Sequence, residues 1–229
     1  MTRLSIVLPV LNEAAIIAPA LARLQPLRER GAEVIVADGG SRDQTPALAL
    51  PLADAVIRAA TGRASQMNAG AAQARGEVLL FLHADTELPD GADALILENV
   101  LRTGALWGRF DVRLSGSHPL LRLVERMMNW RSRLTGICTG DQAIFVTRDA
   151  FAGTGGFPEQ QLMEDIAFSR RMKRLGPPLC LRPAAVTSSR RWERSGMLRT
   201  VLLMWRLRLL YFLGADPGEL ARSYERRRA

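Results

Sequence analysis

A chain of 229 residues, 48% of them hydrophobic and 24% charged, is long enough to bury the core of one large domain without disulfides or a structural metal. Its two cysteines, Cys138 and Cys180, have no CxxC partner, which speaks against a zinc or redox centre and for reduced, buried thiols. Of the net charge of +8, six units fall in the last forty residues, where ten Arg face four acids, and no RNP-type aromatic motif or zinc-finger spacing accompanies them, so nucleic acid is not the expected partner.

The apolar run Leu4–Val10 is short enough to be a buried strand, and Pro9 and Asn12 stop it far below membrane-spanning length, so a cytoplasmic protein is expected. Helical spacing over Glu13–Arg30 ends at Gly31. A second strand covers Glu33–Ala37, after which Ser41 and Asp43 signal a helix start. Ala55–Arg58 reads as a short strand, Arg63–Ala74 as a small-residue helix stopped by Gly76, and Glu77–Leu82 as the next strand. Beyond these, the pattern predicts a strand at Leu106–Leu114, a helix at Pro119–Leu134, a strand at Gln142–Val146 and a helix at Met163–Leu175. Strands alternating with helices imply an α/β fold, a doubly wound, mostly parallel sheet flanked by helices. Such sheets bind ligands at the carboxyl ends of their strands. Three polar clusters fall there: Asn12-Glu13, Asp38, and His83-Ala84-Asp85.

A carboxylate such as Asp85, in a loop just past a strand, suits a hard divalent cation beside a diphosphate; an ordinary turn or capping Asp has the same address. Glu164-Asp165 opens a helix after the loop Gly155-Gly156-Phe157-Pro158. Acids in a first turn are favoured by the helix dipole alone, and a general base toward an acceptor hydroxyl is the functional alternative. Arg190-Arg191-Trp192 offers a phosphate grip and a stacking ring, or equally a solvated pair beside a packed ring.

Pro9-Val10-Leu11-Asn12-Glu13, Asp38-Gly39-Gly40-Ser41-Arg42-Asp43, Asn68-Ala69-Gly70, His83-Ala84-Asp85, Gly155-Gly156-Phe157 and Glu164-Asp165 together resemble family 2 glycosyltransferases in order and spacing, over residues 4–192. The resemblance implies a GT-A fold with a mixed sheet, and an inverting, metal-assisted transfer of a sugar from a nucleoside-diphosphate donor to an acceptor hydroxyl. It implies Pro9, Glu13 and Asp38 on the base and ribose, with Asn12, Gly40, Asn68, His83, Asp85, Arg191 and Trp192 completing the donor side. Asp85 matches the metal-binding last Asp of the family's DxD motif, for Mn²⁺ or Mg²⁺. Asp165 matches the base, with Glu164 in support. Two departures stand out: His83 replaces the first Asp of DxD, and Arg191-Trp192 lacks the Gln of the family's QxxRW element. Phe81-Leu82-His83-Ala84-Asp85-Thr86 with Gly140-Asp141-Gln142 resembles a compact bacterial subgroup, some of whose members are labelled arsenosugar-biosynthesis glycosyltransferases. A dinucleotide-dependent oxidoreductase would need GxGxxG after the first strand, which this chain lacks. A sugar-phosphate nucleotidyltransferase and a non-catalytic nucleotide-sugar-binding module on the same fold are the alternatives.

Residues 1–192 are then the catalytic domain and 193–229 a helical extension. Met197–Leu213 is strongly apolar but broken by Arg199, Arg206 and Arg208, with Trp205 and Tyr211 as amphipathic rings. Such a helix, within 196–213, packs on the domain, joins a second copy in a homodimer, or lies on the inner face of a membrane, where a lipid-linked acceptor as well as a small molecule is accessible.

Overall fold

The computed structural model describes residues 3–190, 193 and 196–226 of the chain. At its centre β1 (Leu4–Val10) lies between β2 (Glu33–Asp38) and β4 (Val78–Phe81), parallel to both, with β3 (Ala55–Arg58) parallel beyond β2. Across β4 follow β7 (Phe145–Thr147), β6 (Trp107–Leu114), β8 (Leu179–Thr187) and β5 (Thr86–Glu87), giving one eight-stranded sheet in the order β3-β2-β1-β4-β7-β6-β8-β5. β7 runs antiparallel to both neighbours and β5 antiparallel to β8, so the sheet is mixed, as expected for this α/β architecture.

Alternation along the strands shows why both faces are covered. Ile6, Leu8 and Val10 of β1, Val34 and Val36 of β2 and Leu80 of β4 face one apolar cluster, which α1 (Ile17–Ala22), α2 (Gln25–Glu29) and α5 (Ala92–Thr103) close with Ile17, Leu21, Leu27 and Ile96. Val7, Ile35, Leu79 and Phe81 face the other, closed by α4 (Arg63–Gln73), α7 (Arg148–Gly153) and α8 (Glu164–Met172) through Met67, Phe151 and Phe168. Each such fully buried side chain contributes about 1.5–3 kcal/mol, and a strand buried on both faces reads as a continuous apolar run.

Several boundaries differ from expectation for local reasons. The expected helix over Glu13–Arg30 is two short ones. Pro26 has no N–H to give the carbonyl of Ala22, and the chain turns at Arg23-Leu24 before α2 begins. Ser41 and Asp43 do not start a helix in place. α3 (Thr45–Ala49) begins later, because the Asp43 carboxylate takes the Thr45 N–H and hydroxyl and the Ser41 hydroxyl accepts from the N–H of Asn12. The first part of the expected strand at Gln142–Val146 is a 3₁₀ turn, Gly140–Gln142, and pairing starts only at Phe145. β8 escapes a pattern reading because Arg182-Pro183 lies inside it. The register with β6 jumps there, from Phe110↔Leu181 to Asp111↔Ala184, and this irregularity accommodates the proline. Both cysteines are free; Cys138 is buried as expected, its thiol pushed up to about 12 by burial, whereas Cys180 is only partly buried.

The apolar, basic C-terminal helix is present as α9 (Met197–Phe212), followed by α10 (Pro217–Arg226). Leu203, Met204, Leu207, Leu210 and Tyr211 of α9, with Leu220 of α10, pack on Ile137, Met163 and Ile166. Among the described residues no helix is long and apolar enough to cross a membrane.

Gly108 is where β6 is squeezed between β7 and β8: a Cβ there would lie 2.3 Å from the Leu179 carbonyl oxygen and 2.5 Å from the Phe145 ring. Neither a paired backbone nor a fully buried ring can yield cheaply. Gly108→Ala is expected to cost about 1–3 kcal/mol, and thermal unfolding should show a Tm lower by about 2–4 °C per kcal/mol lost; an unchanged Tm would mean the sheet gives way there freely.

Candidate active site at the carboxyl edge of the sheet

From β1 the strand order runs to β2 and β3 on one side and to β4 on the other, so the crevice past their carboxyl ends is where an open α/β sheet binds ligands. The loops after β1 and β2 are knitted together there. Asn12, at φ 55°, accepts the Arg42 N–H on its side-chain oxygen at 2.8 Å, and the Glu13 N–H donates to the Thr45 hydroxyl at 2.8 Å. Asp38 is 6% exposed, and its carboxylate accepts the N–H groups of Gly40 and Ser41 at 3.1 and 3.0 Å. Gly40 has φ 93° with open space where a Cβ would stand, so its backbone conformation, not crowding, calls for glycine. Pro9 pairs with Ala37 just upstream.

Three successive residues of α4 join this half of the site to the other. Gln66 is buried, and its amide donates to the carbonyls of Val10 at 2.7 Å and Ala37 at 2.9 Å, holding the ends of β1 and β2 together. Met67 lines a small recess with Phe81, His83, Gly140, Ile144, Phe157, Glu164 and Asp165. Asn68, expected on the donor side, uses its amide on the backbone of Phe157, donating to its carbonyl and accepting its N–H, each at 2.9 Å. It therefore fixes the loop Gly155-Gly156-Phe157 from beneath. Gly70, two residues on, lets α4 approach β1, since a Cβ there would stand 2.3 Å from Val7 Cγ1.

His83, Glu164 and Asp165 line that one recess, and Asp85 lies two residues beyond His83 on the exposed side of its loop. The His83 ring lies against Gly140, where a Cβ would be 2.5 Å from Cε1, and its Nδ1 is 3.7 Å from an Asp141 oxygen. The Gly140 N–H donates to Asp165 Oδ2 at 3.1 Å, and the other Asp165 oxygen accepts the N–H of Ile166 at 2.7 Å. Asp85 is exposed, tied down through its own carbonyl, which accepts the Ser188 N–H at 3.1 Å, while the Thr86 hydroxyl lies 3.5 Å from its carboxylate. Glu164 is buried, 3.8 Å from Arg63 at the start of α4, and burial followed by the charge of Asp165 pushes its carboxyl above the usual range. The described non-glycine residues with positive φ, Asn12, Ala143 and Met163, all flank this site.

Arg191 and Trp192 lie outside the described residues. Among those described, no group of three His, Cys, Asp or Glu side chains is gathered as a metal cage. One exposed carboxylate, Asp85, is what a Mg²⁺- or Mn²⁺-type site supplies when phosphate and water provide the remaining oxygens, so the residues present fit such an ion. Pattern reading missed Gln66, Arg63 and Arg131. Only the position of Arg63 directly after Gly62 at a helix start marks it in the sequence.

The family model described as glycosyl transferase family 2 matches residues 5–154. No curated protein matches in a sequence search. Among solved structures, S. aureus TarS 1–349 superposes with a TM-score of 0.67 at 18% identity, over 82% of this chain and 61% of that one. The mannosyltransferase PcManGT of Pyrobaculum calidifontis, in complex with GDP-Man and Mn²⁺, gives 0.61 at 21% identity over 81% and 56%. Glucosyl-3-phosphoglycerate synthase of Mycobacterium tuberculosis, with Mn²⁺, UDP and glucosyl-3-phosphoglycerate, gives 0.60 at 19% over 81% and 72%. At these identities the likeness establishes the fold. The chain spans about three-fifths of the length of TarS 1–349. The family match does not reach the narrower arsenosugar label.

Glu164 titrates with a sign that can be checked. Its folded pKa lies above the unfolded value, so the fold prefers the protonated form, and its contribution, complete below the unfolded pKa of about 4.3, is lost as pH rises. Glu164→Gln removes that dependence. The Tm of the variant minus that of wild type is therefore expected to grow more positive from about pH 4 to pH 7; a difference that is flat or falls would show that Arg63 compensates the buried charge fully.

Proposed function

The chain belongs to glycosyl transferase family 2, and we propose that it moves a sugar, with inversion, from a nucleoside-diphosphate donor to an acceptor hydroxyl, with Asp165 as the general base. The observation that carries this reading is one recess that gathers His83, two residues before Asp85, with Gly140, Glu164 and Asp165, the Gly140 N–H holding the Asp165 carboxylate. The fold match to proteins held with GDP-Man or UDP and Mn²⁺ supports a nucleotide-sugar donor. We take residues 1–192 as the catalytic unit and 193–229 as its helical extension.

In this reading Asp38, with Pro9 and Glu13, borders the base and ribose, and Asp85 would hold a Mg²⁺ or Mn²⁺ whose charge offsets that of the diphosphate. The acceptor oxygen forms its bond to the sugar's anomeric carbon as the bond to the diphosphate oxygen breaks, and the acceptor proton passes to Asp165. Gly140 prepares the base: its N–H fixes one carboxylate oxygen, and the 3₁₀ turn fixes Gly140. Buried Glu164 next door favours its own neutral form, which keeps a second negative charge away from Asp165.

α9 presents a second apolar face. Leu198, Leu202, Trp205, Leu209 and Phe212 are each at least 55% exposed at helical spacing, and Arg199, Arg206 and Arg208 are its only charges. The inward face being spent on Ile137, Met163 and Ile166, this outward one supports docking of a cytoplasmic enzyme on an anionic membrane surface. Flotation with anionic liposomes at low salt should bring wild type to the top, and Trp205→Glu with Leu209→Glu should stay at the bottom. A soluble dimer that the same changes dissociate would assign the face to a second copy instead.

Calorimetry with UDP and GDP should show binding that needs Mn²⁺ and is lost with EDTA or in Asp85→Ala; equal affinity with and without metal would sink the metal role. Asp165→Asn should bind the donor as wild type does and lose about 10²–10⁴-fold in transfer rate. Full turnover by that variant refutes the base. Donor binding with no transfer even in wild type would leave a binding module, and release of pyrophosphate from a nucleoside triphosphate would mark a nucleotidyltransferase.

A further inference from the structure

β6 pairs with β7 at Trp107 and Gly108, and further along β6 the side chains of α6 (Pro119–Thr135) do the work of a neighbouring strand. Asn129 accepts the Val112 N–H at 2.8 Å and donates to the Val112 carbonyl at 3.0 Å. Glu125 accepts the Leu114 N–H, and Arg122 donates to the Leu114 carbonyl at 2.6 Å. Glu125 and Ser132 are buried on this side with Leu121. The polar face of α6 is therefore spent on strand backbone that an open edge would leave unpaired. Its apolar face is left outward, the reverse of an ordinary surface helix. Leu120, Leu123, Met127, Trp130 and Leu134 are each at least 39% exposed, with Trp130 at 66% and Leu134 at 65%. Their alternating spacing of three and four lays them in one stripe along the helix.

The outward residues of α9, Leu198, Leu202, Trp205, Leu209 and Phe212, form a second stripe with the same alternation. The end of α6 is tied to α9 through Ile137, two residues beyond Thr135, which packs in one cluster with Leu203 and Leu207. Monomers rarely leave apolar surface of this extent uncovered. The charges beside the stripes select what covers it. When two helices pack stripe to stripe, the residues flanking one stripe meet those flanking the other. The exposed charges in those places are Arg126 and Arg133 on α6 and Arg199 and Arg206 on α9. Arg133 is paired with Asp111 at 2.8 Å, and the only acid within either helix, Glu125, is turned to β6. Two copies joined by these stripes would set arginine against arginine. An anionic lipid surface attracts the same arginines, and Trp130 and Trp205 suit the headgroup level. We propose that α6 is a second membrane-docking helix, which with α9 seats the enzyme on an anionic lipid surface. This rests on the membrane reading for the kind of surface, and on α6 alone for the new contact. Gly140, whose N–H holds the Asp165 carboxylate, is six residues beyond Leu134 and so within about 20 Å of it even on an extended chain. Docking through α6 holds the site close to lipid, where a lipid-linked acceptor is within reach.

The test floats the full chain at low salt with vesicles of phosphatidylcholine alone and with vesicles that are about one-third phosphatidylglycerol. Wild type should rise with the anionic vesicles and not with the neutral ones. Trp130→Glu with Leu134→Glu leaves α9 intact and should lower the bound fraction at least about tenfold at an unchanged melting temperature. If the glutamates lower the melting temperature, Leu123→Gln with Leu134→Gln takes their place. An α6 variant that floats as wild type does, while Trp205→Glu with Leu209→Glu stays at the bottom, would overturn the proposal and leave α9 as the contact. The opposite pattern would support α6 and remove α9, so the two readings fail separately. Equal flotation on neutral vesicles would defeat the charge argument and the proposal with it. A wild type that stays at the bottom overturns it as well, and a dimer that the α6 variant dissociates in sedimentation velocity would give the stripe to a second copy.

Discussion

A buried amide holds this site open. Gln66 reaches from α4 to the carboxyl ends of β1 and β2 and donates to the carbonyls of Val10 and Ala37. The Val10 carbonyl also accepts the Gly39 N–H at 2.9 Å, so the amide adds to the strand pairing there, each such bond contributing about 0.5–1.5 kcal/mol. The same residue abuts Gly39, where a Cβ would lie 2.9 Å from its amide carbon. The Asp38 turn, the Asn12 turn and the start of α4 are therefore one unit. Met67 and Asn68, next along the helix, extend it to the recess and to the Phe157 loop. Because successive helical residues point about 100° apart, one short segment braces three separate walls.

The two halves of the site are electrostatically different. Asp38, at the end of β2, is held by backbone N–H groups of its own turn, an inexpensive way to bury a carboxylate. The other half is less fully paired: Glu164 is buried beside Asp165 and held above the usual carboxylate range with Arg63 at 3.8 Å, and two guanidinium nitrogens of Arg131 are buried without a hydrogen-bond partner. Strain is placed there as well, at Ala143 and Met163, with φ 47° and 65°. Folds keep such tension where chemistry or binding needs it, and the rest of this sheet has little of it.

α9 connects that charged half to the outer surface. Its inward residues cover Ile137, Met163 and Ile166, so the helix that carries Arg208 also stabilises the segments on which Arg131 and Asp165 stand. Its outward leucines and Trp205 remain exposed.

Much of the parallel half was legible in the sequence. β1 begins and ends where its apolar run does, because a strand buried on both faces leaves the signal uninterrupted, and the half-buried edge strand β3 matches its short run as well. The strand-end carboxylates Asp38 and Asp85 and the Glu164-Asp165 pair were legible too, since local order along the chain is enough to put each at its loop. What only the tertiary structure decided lies between segments distant in sequence. β8 was hidden by Pro183 until β6 was seen to absorb it as an irregularity. Asn68 read as a donor contact, and only the fold shows its amide turned onto Phe157, 89 residues away. Arg131 was one arginine among many on an amphipathic helix. That two of its guanidinium nitrogens are buried without a hydrogen-bond partner follows from packing, and packing leaves no periodicity in the sequence because it depends on pairs of positions rather than on any one run.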